Sequence, residues 1–122
     1  MANILIVDDS PTEVHVFRTM LEKNGHTVEV AQTGEEGIDK AQSSLPDLIL
    51  MDIVMPGING FQATRKLSTI EATAKIPVII VTTKDQETDK VWGIRQGAKD
   101  YIVKPVKEKD LIDRVNSALA GK

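Results

Sequence analysis

With 122 residues, no cysteine and a formal net charge of −3, the chain is sized for one domain with one core. The composition excludes disulfides, thiolate nucleophiles and Cys-ligated zinc, and the acidic balance argues against sequence-independent nucleic-acid binding, which needs a basic face. No apolar run approaches the roughly 20 residues of a membrane span, and a strand begins almost at the N-terminus, so neither membrane insertion nor a cleavable signal is expected and the cytoplasm is the expected compartment.

Ile4-Leu5-Ile6-Val7 is the first apolar run, and Asp8 and Asp9 close it. The first helix follows, with Ser10 as N-cap, Pro11 at the first helical position and Glu13 completing a capping box. Val14, Phe17 and Leu21 recur on one face, and Asn24-Gly25 stops it. Thr27 to Ala31 alternates as a shorter second strand, and Thr33-Gly34 opens a helix to about Ser43. After the turn Leu45-Pro46-Asp47, the run Leu48-Ile49-Leu50-Met51 forms a third strand closed by Asp52. Asn59-Gly60 opens a third helix, expected to end before Ile76-Pro77. Val78 to Val81 is a fourth strand closed by Thr82, Asp85 to Gln96 a fourth helix stopped at Gly97, and Tyr101 to Val103 a fifth strand closed by Lys104. Glu108 to Leu119 is the last helix, with Leu111, Val115 and Ala118 facing inward.

Strands alternating with helix-period segments predict an α/β fold with a parallel sheet and right-handed crossovers. The expected fold is a five-stranded doubly wound sheet of order 2-1-3-4-5, spanning residues 1–122 as a single domain. That order sets the first and third strands side by side and gathers Asp8, Asp9 and Asp52 at the C-terminal edge, where ligands of open parallel sheets bind.

A carboxylate ending a buried strand is costly there without a reason. Three in one crevice repel one another and would raise one another's pKa values, which a hard divalent cation relieves. Mg²⁺ takes oxygen ligands of this type, usually one or two carboxylates with waters and phosphate oxygens. Asp52 is then the candidate nucleophile, since a carboxylate can attack phosphorus to give an aspartyl phosphate. Phosphoryl transfer is mostly positioning and charge stabilisation, with the metal on one side and Lys104 on the other. Lys104 alone would read as a solvated strand-end lysine; beside three aspartates it reads as part of the site. A cis bond to Pro105 would be one way to aim it. The Thr82 hydroxyl can hydrogen-bond a phosphoryl oxygen, although a β-branched residue commonly ends a strand anyway. Tyr101, the only tyrosine, reads equally as an edge-strand residue with its hydroxyl in water.

Asp8-Asp9, Asp52 before Met55-Pro56-Gly57, Gly60, Thr82 and Lys104-Pro105 form an ordered set along essentially the whole chain. In that set the chain resembles the receiver domain of two-component response regulators, with the CheY-like fold. The resemblance implies that a histidine kinase or phosphotransfer domain donates a phosphoryl group to Asp52. It implies Mg²⁺ held by Asp9, Asp52 and the backbone carbonyl of Val54, with Asp8 acting through water, and a conformational switch formed by Thr82 and Tyr101. The stretches IPVIIVTTKDQETDKVWG and MDIVMPGINGFQATR are similar to PilH-type single-domain regulators of type IV pilus twitching systems. Val54, Thr83 and Lys84 occupy positions that tune phosphoryl access and hydrolysis in this family. Apolar Val54 offers an attacking water no hydrogen bond, whereas Lys84 could pair with the phosphoryl group.

The output face implied by the switch is the fourth helix, fifth strand and fifth helix. Lys90, Val91, Trp92 and Ile94 are candidate contacts with a downstream protein, and Trp92 reads first as packing at the core boundary. Val16 and Met20, off the apolar stripe of the first helix, read either as a donor-docking patch or as a wide buried face. His15 and His26 lie away from any strand's C-terminal end and read as surface histidines. A monomer is the default. No effector domain is expected, so the output is a partner protein or phosphate drainage. A phosphohydrolase of the aspartyl-phosphate type would need an acid two residues after the nucleophile, where Val54 stands. A flavin or nucleotide binder would need a glycine-rich loop where Asp8-Asp9-Ser10-Pro11 stands. An adaptor that has lost phosphorylation would not be expected to keep the whole acceptor set.

Overall fold

The computed structural model describes residues 2–121. Met1 and Lys122, the ends of the expected 1–122 domain, lie outside the described residues. Ten elements follow in strict alternation: β1 (Asn3–Val7), α1 (Pro11–Lys23), β2 (Thr27–Ala31), α2 (Gly34–Ser44), β3 (Leu48–Met51), α3 (Gly60–Thr69), β4 (Val78–Thr82), α4 (Glu87–Arg95), β5 (Asp100–Val103) and α5 (Glu108–Ala120). The sheet is parallel throughout, with order β2-β1-β3-β4-β5 as expected.

The three inner strands are apolar because both of their faces are covered, and every residue of β3 and β4 is buried. Alternation along β1 divides the core. Ile4 and Ile6 join Phe17, Leu21, Leu111 and Val115 on the α1/α5 face. Leu5 and Val7 join Ala41, Ala63 and Leu67 on the α2/α3 face. A smaller cluster of Ile53, Ile80, Ala98 and Tyr101 lies toward α4.

The capping chemistry of α1 is half of what the sequence suggests. The Ser10 hydroxyl accepts from the Glu13 N–H at 3.3 Å. The return bond is absent, because the Ser10 N–H donates instead to Asp8 Oδ1 at 2.9 Å. The full capping box is at α3, where Asn59 and Gln62 satisfy each other's backbone N–H groups at 2.9 Å. That helix ends at Thr69, well short of Ile76. The following turns are held by Thr73, whose hydroxyl donates to the Leu67 carbonyl at 2.7 Å and so competes with further helical bonding. α4 is also shorter than the expected 85–96, opening at Glu87 after a Gln86 cap that makes no side-chain bond.

Candidate functional site: an acidic crevice at the C-terminal edge of the sheet

Ladder hydrogen bonds run one residue beyond the strands and fix the backbone of the site. The Asp8 N–H donates to Ala31, Asp52 to Val7 and Lys104 to Thr82, at 3.0, 3.0 and 2.8 Å. Asp8 and Asp52 are therefore placed by adjacent strands, and Lys104 by the far edge of the sheet. Gly60 closes the site from below. Its N–H donates to the Ile53 carbonyl at 2.9 Å, and a Cβ there would overlap the carbonyl oxygen of Asp52.

Asp8, Asp9 and Asp52 each present a carboxylate oxygen within 4.8 Å of the other two. Asp8 is 3 % exposed and Asp9 lies open to solvent. Lys104 Nζ, on a side chain 8 % exposed, lies 3.2 Å from Asp8 and 3.6 Å from Asp52. The ammonium also stands 5.7 Å from the centre of the Phe17 ring. The Lys104–Pro105 bond is cis. Burial pushes the Asp52 carboxyl above the usual range; Lys104 opposes that shift, Asp8 adds to it, and the Ile53 N–H (2.7 Å) and Thr82 hydroxyl oppose it. One ammonium cannot neutralise three carboxylates. This set of hard oxygen donors with uncompensated negative charge fits a small divalent cation.

Thr82 is fully buried at the end of β4, and its hydroxyl accepts from the Lys84 N–H at 3.4 Å. Tyr101 does not hold its hydroxyl in water. The ring is buried, and the phenol donates to the Lys84 carbonyl at 2.8 Å. Burial, with Asp89, Asp85 and Asp52 nearby, pushes its pKa up to about 12. Gly93 makes room for the ring: a Cβ there would come within 3.1 Å of it and 2.8 Å of Ile80. Val54, 61 % exposed, and Thr83 and Lys84 line the open side of the edge.

Several surface expectations need correction. Trp92 is 50 % exposed instead of packed at the core boundary, because α4 meets the sheet through Gly93. With exposed Val91 and Ile94 and half-buried Lys90 it forms an apolar outer face. The α1 pair divides: Val16 is exposed, whereas Met20 packs against the main core. His15 is exposed as expected, but His26 is buried, and its Nδ1 accepts from the Ala2 N–H at 3.1 Å. Glu13, read from sequence only as a cap, is 3.8 Å from Lys104 Nζ. That its carboxylate is left to face Lys104 could be anticipated only by seeing that Asp8 takes the Ser10 N–H.

The response regulator receiver domain model matches residues 4–116. The chain belongs to that family. As a receiver it is 62 % identical to Protein PilH of Pseudomonas aeruginosa, over 99 % of this chain and the whole of that protein. Other curated relatives are longer, and the receiver spans 53 % of one response regulator that is 38 % identical to it. The chemotaxis protein CheY4 of Vibrio cholerae superposes with a TM-score of 0.91 at 30 % identity, over 97 % of this chain and 98 % of that one. The receiver domain of a Pseudomonas aeruginosa sensor histidine kinase does so with a TM-score of 0.91 at 28 % identity and 98 % coverage of both chains. That structure has a magnesium ion coordinated in its active-site cleft. Among the described residues of this receiver, no helix is long and apolar enough to cross a membrane.

Proposed function

We propose that this receiver accepts a phosphoryl group on Asp52 from a phosphohistidine of a histidine kinase or phosphotransfer domain. The observation that supports this most strongly is the Lys104 ammonium held against both Asp8 and Asp52 at the edge where Asp9 and Thr82 also meet. A carboxylate oxygen of Asp52 attacks phosphorus; the new O–P bond forms as the donor's N–P bond breaks, and the imidazole leaves with that bond's electron pair. Lys104 and the Thr82 hydroxyl take up the phosphoryl oxygens. Loss follows when water attacks phosphorus, releasing inorganic phosphate and restoring the Asp52 carboxylate. Asp9, Asp52 and the Val54 carbonyl would hold Mg²⁺, with Asp8 orienting its water. Bound there, the ion supplies positive charge against the aspartates and the phosphoryl oxygens. The chemistry is that of a signalling acceptor acting on itself.

The phosphoryl group adds about −1.5 to −2 charges at one point. Thr82 and Tyr101 carry that change to α4 through the backbone of Lys84. The output face is then α4, β5 and α5, where Lys90 and Ile94 with Val91 and Trp92 meet a downstream protein, and Val16 contributes to donor docking on α1. Val54, Thr83 and Lys84 set the lifetime of the phosphorylated state. Similarity to PilH supports a single-domain regulator of the twitching-motility type, and we take it to act as a cytoplasmic monomer with no nucleic-acid partner. Intact-mass spectrometry after incubation with Mg²⁺ and acetyl phosphate tests the chemistry. The unaltered chain gains one labile phosphoryl group, and Asp52→Asn or chelation abolishes the gain; a gain in Asp52→Asn would overturn the assignment.

A further inference from the structure

We propose that Glu13 is a positioning residue for Lys104 that restrains phosphoryl loading by holding part of the ammonium's charge toward α1. The inference rests on Asp52 being the acceptor. Three observations lead to it. The Lys104 ammonium divides one positive charge among Asp8, Asp52 and Glu13, at 3.2, 3.6 and 3.8 Å. The Glu13 carboxylate is available because Asp8, not Glu13, takes the Ser10 N–H. Phe17, one helical turn after Glu13, stands under the same ammonium at 5.7 Å, so α1 grips the lysine head at two places.

A phosphoryl group arriving on Asp52 must draw Lys104 to itself, against the pull of Glu13. The Glu13 carboxylate also adds a like charge near an incoming dianion. Replacing it with a neutral amide removes both effects while keeping the backbone N–H that Ser10 caps. The Glu13 side chain is 38 % exposed, so the effect belongs to the modest range of partly solvated ion pairs.

The test compares the unaltered chain, Glu13→Gln, Lys104→Gln and the double variant. In metal-free protein, Glu13→Gln is expected to lower the melting temperature by about 1–4 °C, and this loss vanishes or reverses when Lys104 is already Gln. With Mg²⁺ and acetyl phosphate, Glu13→Gln is expected to load about threefold faster and lose phosphate about threefold more slowly. Both differences shrink as ionic strength rises. Equal thermal shifts in the two Lys104 backgrounds, or loading that is unchanged or slower in Glu13→Gln, would overturn the proposal. Absence of loading in the unaltered chain would reject loading from a small donor, and with it the restraint proposed here, whatever the thermal cycle shows.

Discussion

Tyr101 donates its phenol proton to the carbonyl oxygen of Lys84 at 2.8 Å, across 17 positions of sequence. The N–H of the same residue reaches the Thr82 hydroxyl at 3.4 Å. The two residues read as a switch thus hold opposite ends of one peptide segment, and under the proposed function a shift of the Thr82 hydroxyl toward a phosphoryl group would pull on the segment that anchors Tyr101.

Tyr101→Phe should therefore cost about 1 kcal/mol of stability, the net worth of one hydrogen bond. Amide hydrogen exchange should rise more in the loop between β4 and α4 than in β1, where only the loss of global stability is felt. Uniform acceleration across the sheet would place the bond's role in global stability instead.

Gly60→Ala should destabilise by about 1–3 kcal/mol, because the added methyl group would meet the Asp52 carbonyl and the Ile53 Cα at the centre of the site. A Cβ at Gly121 meets only ordinary contacts, 3.7 Å and beyond, so Gly121→Ala should be neutral. Urea melts of the two variants check the contrast; equal effects would show that the backbone beneath Asp52 has slack.

Burial holds the His26 pKa below 6.5 and keeps its Nδ1 unprotonated to accept from Ala2. Because the folded-state pKa is the lower one, the unfolded chain binds the proton more readily. The contribution of His26 to stability is thus complete above pH 6.5 and is lost as pH falls toward the folded-state value. Urea melts from pH 7.5 to 5.5 should show the decline in the unaltered chain and a shallower one in His26→Asn. A parallel decline in both would assign it to other groups.

The sequence was most readable where a strand ended. Val7, Met51 and Val103 end their strands as apolar residues followed by a charged one, and β4 ends one residue past Val81 on the hydroxyl residue Thr82 itself, so that change of character marks both the sheet edge and the site. The end of α3 was not readable, because no Gly or Pro marks Thr69 and the Thr73 side chain that ends the helix acts from outside it. Trp92 was misplaced because an inward helix face is ordinarily made of side chains, and α4 uses the absence of one at Gly93. His26 and Glu13 depend on which backbone N–H is free, at Ala2 and Ser10, a property of the folded chain alone.

The most direct test of the central claim is to locate the phosphoryl group on the chain. After loading with acetyl phosphate and Mg²⁺, borohydride reduction converts an aspartyl phosphate to homoserine, and peptide mass spectrometry reads its position. Homoserine at position 52 alone is the expected result. Homoserine at position 8 or 9, or a phosphoryl group retained on His15, would contradict the assignment of Asp52 as the acceptor.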